Sequence, residues 1–160
     1  MPEAKGRLSW IGLRESTEVP IHVVEQAQAV PGQGLEGDRF RGRPGGAGTR
    51  QITLIHAAHL LDAAQALGQS QALAPTLTRR NLVIEGLHER DLRQRQLRIG
   101  EHVLLEITGG CPPCSQMDTN IGDGGRAALE GRGGLTARVV TGGELRVGDT
   151  VVVIDAKTDD

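Results

Sequence analysis

Two cysteines three positions apart, Cys111-Pro112-Pro113-Cys114, are the residues of this 160-residue chain best equipped for chemistry. A thiolate is both a nucleophile and a soft metal ligand. Four uses compete. A thioredoxin-like exchange pair opens a helix within a βαβ unit, but here Gly109-Gly110 precede the pair and the stretch from Ser115 to Gly125 is polar and glycine-rich. A structural zinc site needs four ligands, usually as two close pairs. His56 and His59 offer a second pair, at a spacing that matches no zinc module. A disulfide scaffold belongs to oxidising compartments. The fourth use is one functional thiolate with the other cysteine as its neighbour. A cysteine in a Gly/Pro loop can accept backbone N–H bonds, and a nearby Arg lowers its pKa. Against these uses stands the plain alternative of two buried, inert thiols.

Two Arg-bearing tracts are the candidate polar partners: Asp38-Arg39-Phe40-Arg41-Gly42-Arg43 and Thr78-Arg79-Arg80-Asn81. Guanidinium forks bind oxyanions, and exposed backbone amides of glycine-rich chain complete such a cradle. On composition alone, Arg pairs on loops are simply solvated. No glycine tract is a true phosphate signature: neither G-x-x-x-x-G-K-[ST] nor G-x-G-x-x-G before a helix occurs. The five histidines are scattered and none stands in a nucleophile pattern, so triad hydrolysis has no support.

The elements that must hold these residues are mostly short strands. Residues 7–13, 21–30 and 51–55 read as strands, and 31–48 is too rich in Gly and Pro to be regular. Its charged residues at 38–43 mark a functional loop instead of a linker. Ala57, Leu60, Leu61, Ala64 and Leu67 recur at helical spacing, which predicts an amphipathic helix over 56–67 that stops at Gly68. A further strand ends at Gly86, and the highly charged 87–96 is expected to be exposed. Leu97-Arg-Ile-Gly-Glu-His-Val and Leu145-Arg-Val-Gly-Asp-Thr-Val match each other, each placing a Gly-acid turn before a β-branched run. A helical patch near 125–130 and a strand at 135–141 lie between them. The pattern predicts a mainly β fold, a small closed β-barrel with a few short helices and no regular βαβ alternation. One domain over 7–153 is expected, with a frayed tail over 154–160.

Composition narrows the function classes. One Trp, one Phe and no Tyr exclude base-stacking platforms and aromatic cages, so the core must be aliphatic. A net charge of −2 gives no bulk field toward nucleic acid or an acidic membrane. Sixteen of the eighteen basic residues are Arg, a bias that reads mostly as coding composition outside the local clusters. No apolar run is long enough to span a bilayer. Residues 1–6 lack a basic-then-apolar signal pattern, so a cytoplasmic location is expected.

Taken in order, several stretches resemble the MOSC domain, the C-terminal domain of molybdenum-cofactor sulfurases. They are Gly34-Leu-Glu-Gly-Asp-Arg39, Arg50-Gln-Ile-Thr-Leu-Ile55, Thr78-Arg-Arg-Asn-Leu-Val-Ile-Glu-Gly86, Leu97-Arg-Ile-Gly100, Cys111-Pro-Pro-Cys114 and residues 134–149. The resemblance spans roughly 7–153. It implies a compact β-barrel with a loop-lined pocket for the molybdenum cofactor (molybdopterin). By motif position it implies Cys114 as the catalytic thiolate, metal ligand or sulfur carrier. Arg79, Arg80 and Asn81 match the segment that contacts the pterin and its phosphate. Asp38 and Arg39 lie in the other signature loop, and Arg50 and Cys111 complete the implied cofactor-binding set.

The chain lacks the pyridoxal-phosphate desulfurase domain of full-length sulfurases, so pyridoxal phosphate is not expected on it. A separate cysteine desulfurase or electron-transfer donor is the implied partner, with neither nucleic acid nor membrane. The alternatives are a molybdenum-dependent reductase of N-hydroxylated bases or amidoximes, and a CxxC thiol-disulfide protein. Cys111 is a second thiol that the basic scheme does not require.

Overall fold

Residues 103–110 show how the barrel is made. Val103, Leu105 and Ile107 are buried, while Leu104, Glu106 and Thr108 between them are only half-buried. That two-residue period is a strand with one face on a core. The computed structural model describes residues 5–15, 20–38, 51–87, 89–93, 95–111 and 116–154. Eleven strands lie among them: β1 (Lys5–Leu13), β2 (His22–Val24), β3 (Gln26–Val30), β4 (Gly34–Leu35), β5 (Ile52–His56), β6 (Leu82–Glu85), β7 (Gln96–Ile99), β8 (Val103–Gly110), β9 (Leu135–Thr141), β10 (Gly143–Arg146) and β11 (Thr150–Ile154). The helices are short: α1 (Ala57–Ala66), α2 (Glu89–Leu92), α3 (Gln116–Ile121) and α4 (Gly125–Ala128), with a 3-10 turn over Pro75–Thr78.

Seven strands close on themselves in the order β11-β7-β8-β9-β5-β6-β1, the last seam being Lys5 opposite Val152 through Arg7 opposite Thr150. β1 is long enough to serve three neighbours: β11 at its start, β6 in the middle and β2 at its end. Leu8, Ile11, Leu54, Leu82, Ile84, Leu97, Ile99, Leu105 and Val151 join one aliphatic cluster, each at most 2% exposed. Each such side chain contributes about 1.5–3 kcal/mol on burial. Fold class and aliphatic core are as the sequence predicts.

β5 and β6 are parallel, and α1 makes the crossover between them. Leu60, Ala63 and Ala64 of α1 pack with Ile55, Val83, Leu73, Met117, Ala128 and Leu129 in a second cluster. Ile55 and Val83 alternate with the first-cluster residues Leu54, Leu82 and Ile84, so this cluster lies on the other face of the sheet.

Two sequence expectations are corrected, the single strand over 21–30 and the exposure of 87–96, and the two look-alike segments, which do each turn into a barrel strand, pair differently. The single strand over 21–30 is two, because the chain bends at Glu25: β2 joins β1, while β3 joins β4 and β10 in a separate three-stranded sheet. The two look-alike segments also diverge. β7 and β8 form a hairpin, but β10 pairs with β3 while β11 pairs with β7 and β1. Their turns share a local cause, Gly100 at φ +66° and Gly148 at φ +103°. The charged stretch 87–96 is not uniformly exposed, since Leu92 is fully buried in the main cluster.

Candidate functional site

Asn81 stands at the threshold of β6 and is completely buried. Its main chain is already paired: its N–H donates to the Thr53 carbonyl at 3.0 Å, and its carbonyl accepts from the Gly12 N–H at 2.7 Å. The side chain then has to satisfy itself among neighbouring segments. Its Nδ2 donates to the Gly12 carbonyl and to Asp38 Oδ1, each at 2.9 Å. Its Oδ1 accepts from Arg14 Nη2 at 2.9 Å and from the Thr53 N–H at 3.0 Å. One amide therefore ties β1, β5, β6 and the loop at Asp38 together, and such networks specify a unique arrangement when fully satisfied.

Asp38 and Arg14 are each 5% exposed. Arg14 Nε donates to Oδ1 at 3.1 Å and Nη2 to Oδ2 at 3.0 Å, a fork-on-fork pair. The Arg14 backbone N–H adds a third donor to Oδ1 at 2.7 Å. Arg14 Nη1 reaches on to the Arg79 carbonyl at 3.2 Å. Arg79 ends the 3-10 turn in a left-handed conformation, φ +58° and ψ +26°. The carbonyl of this strained residue is thus gripped by Arg14.

Arg80 points elsewhere. It is 6% exposed, and its guanidinium donates to three carbonyls: Gly133 at 2.7 Å, Cys111 at 3.0 Å and Thr78 at 3.2 Å. Cys111 follows β8 directly, is 3% exposed, and donates its N–H to the Gly134 carbonyl at 2.8 Å. Gly134 is required there. Its φ is +101°, and a Cβ would run into the Leu54 carbonyl oxygen. Beside this junction the Thr108 and Thr136 hydroxyls meet at 2.8 Å across β8 and β9.

Five residues named from sequence, Asp38, Arg79, Arg80, Asn81 and Cys111, thus fall in two adjoining hydrogen-bonded groups linked through residues 78–81. Cys114, Arg39 and Arg50 lie outside the described residues. Among the described residues, no three His, Cys, Asp or Glu side chains converge on a metal position. His56 and His59 meet edge to face with ring centres 5.4 Å apart. Sequence reasoning missed Arg14 and Thr53. An Arg closing an apolar strand looks like any solvated strand end, and a Thr inside Gln51-Ile-Thr-Leu-Ile55 looks like an ordinary strand residue. The one available signal was the matching polar demand of Asp38 and Asn81.

A family model described as MOSC domain matches residues 37–152. No curated protein sequence matches this chain. Among solved structures, the YuaD protein of Bacillus subtilis superposes with a TM-score of 0.84 at 15% identity, over 98% of this chain and 99% of that one. YiiM of Geobacillus stearothermophilus gives 0.73 at 16% identity, over 96% of this chain and 77% of that one. YiiM of Escherichia coli gives 0.68 at 20% identity, over 96% and 72%. These likenesses carry the fold.

Proposed function

This chain belongs to the MOSC domain family, and from that premise we propose that it binds the molybdenum cofactor and uses the Cys114 thiolate as metal ligand or sulfur carrier. The observation that carries the reading is the meeting of three family segments distant in sequence. Asp38 of the first bonds to Asn81 of the second, and Arg80 of the second bonds to the Cys111 carbonyl of the third. Two features support a fit to such a group. A soft thiol lies three residues past Cys111, the donor type that suits molybdenum. At Gly110, immediately before, a Cβ would meet no described atom within 4 Å, so the end of β8 offers bare backbone for a ligand to lie against.

In this reading Arg79, Arg39 and Arg50 supply cationic contacts to the phosphate and pterin edges. Asp38 and Asn81 hold the loops from which those contacts come, and Cys111 anchors the thiol loop through its main chain. When bound, the cofactor supplies two-electron redox chemistry or accepts sulfur. The chain's own residues orient it and present the thiolate. The two uses differ in their partner. Sulfur transfer requires a separate cysteine desulfurase, and reduction of N-hydroxylated bases or amidoximes requires an external electron donor. Exchange between Cys111 and Cys114 is less well supported, because Cys111 is buried and reactive thiols are accessible. Among the described residues no helix is long and apolar enough to cross a membrane; a cytoplasmic site of action remains part of this proposal.

The test is molybdenum and pterin content after expression in a cofactor-producing host, wild type against Cys114→Ala. Molybdenum in the wild type and its loss in the variant are expected. Equal, negligible metal in both, with the cofactor shown to survive purification, overturns the reading.

A further inference from the structure

Of the four residues 78–81, Thr78, Arg80 and Asn81 are buried and Arg79 is not. Arg79 is also the one non-glycine residue with a positive φ among the described residues, at +58°. Glycine takes that conformation freely, whereas a residue with a Cβ keeps it only where its surroundings enforce it. Here they do. Before it, the Thr78 hydroxyl donates to the Pro75 carbonyl at 2.9 Å, and the Thr78 carbonyl accepts from Arg80 at 3.2 Å. Beyond it, Asn81 is fixed through both main chain and side chain. The Arg79 carbonyl itself accepts from Arg14 Nη1 at 3.2 Å. Arg14 is aimed in turn, because Asp38 accepts from its Nε and Nη2, and Asn81 Oδ1 accepts from Nη2 as well. A planar fork spans the two carboxylate oxygens and that carbonyl at fixed angles; an ammonium, a point charge, does not. A position that glycine would fill without strain thus holds a guanidinium, the group suited to oxyanions.

We infer that Arg14, seated on Asp38, is a positioning residue for oxyanion recognition by Arg79. It holds the left-handed main chain from which the Arg79 guanidinium is presented to a phosphate group. The inference rests on the cofactor reading, which puts Arg79 against the phosphate, and it uses neither cysteine.

The experiment is the rate at which phenylglyoxal modifies Arg79 at one fixed pH as inorganic pyrophosphate is added, read by residue-resolved peptide mass spectrometry. Exposed Arg98 and Arg146 are the internal reference. Wild type, Arg14→Lys and a core variant of general destabilisation, Leu97→Ala, are compared, with thermal melting recorded for each. In the wild type, pyrophosphate is expected to slow modification of Arg79 and not of Arg98 or Arg146. Arg14→Lys is expected to raise the half-protecting concentration roughly fivefold or more, and Leu97→Ala to leave it within about twofold. No selective protection of Arg79 in the wild type, an unchanged concentration in Arg14→Lys, or an equal rise in Leu97→Ala overturns the inference. Arg79→Gly is expected to melt no lower than wild type. A clear drop overturns the inference, by making the Arg79 side chain part of the packing. If Arg14→Lys does not fold, Asp38→Asn carries the test, because it keeps Arg14 and weakens its seat. Folded with weaker protection supports positioning, and folded with wild-type protection overturns it. Failure of both variants to fold also overturns it, by making the pair a general requirement of the fold. Failure of the cofactor reading is separately visible, as equal molybdenum content in wild type and Cys114→Ala.

Discussion

Arg14 clasps Asp38 with both arms of its guanidinium, Nε to Oδ1 at 3.1 Å and Nη2 to Oδ2 at 3.0 Å, with each residue 5% exposed. The pair joins the end of β1 to the loop that carries a family signature. Removing one partner strands a buried charge, at a cost of about 3–5 kcal/mol. Arg14→Ala and Asp38→Ala are each expected to lower stability by that amount in urea denaturation. A double replacement by apolar residues of similar size should cost clearly less than the sum.

Glu106 and Arg138 face each other across β8 and β9, but their side chains are 32% and 42% exposed. Water screens such a pair, and its worth is about 0–1 kcal/mol. Glu106→Gln is expected to fall within that range by the same measurement. A loss as large as that of Asp38→Ala would contradict the role given to burial.

Gly134 and Gly110 make a second contrast. Gly134→Ala forces a side chain onto a φ of +101° and into the Leu54 carbonyl, so a loss of roughly 2–4 kcal/mol is expected. Gly110 has neither constraint, and Gly110→Ala is expected to be neutral or to stabilise by about 0.4–1 kcal/mol. The same variant should lower the molybdenum retained per chain, since it puts a methyl where the ligand is proposed to lie. Melting curves and metal analysis of one preparation check both halves.

Cys111 is held through its backbone, and its side chain is buried. Cys111→Ala keeps every main-chain bond and empties only a small volume, so a cost of about 1 kcal/mol is expected. Molybdenum content should stay near wild type, in contrast to Cys114→Ala. Loss of metal in both variants would instead point to two thiols acting together.

Much of the fold was legible because local chemistry was sufficient. The spacing of Leu60 and Ala64 announced α1, and the glycines at 100 and 148 announced turns that only a positive φ completes. The pairing of those strands was not legible. Leu97–Val103 and Leu145–Val151 share a local pattern, yet only the first closes a hairpin on itself. Register is decided by distant strands competing for the same edges.

The candidate site divides the same way. The sequence by itself determined residue chemistry: a thiol pair in a Gly/Pro loop, Arg and Asn before β6, an acid in a glycine loop, and an aliphatic barrel to carry them. Only the tertiary structure decided which of those groups face one another. Arg79 and Arg80 are adjacent and identical in type, yet one ends a turn in a left-handed conformation and the other holds three carbonyls together. The physical reason is that a guanidinium takes whichever acceptors burial leaves without water. Those acceptors are the carbonyls of Thr78, Cys111 and Gly133, which no one-dimensional pattern brings within hydrogen-bond distance of the same side chain.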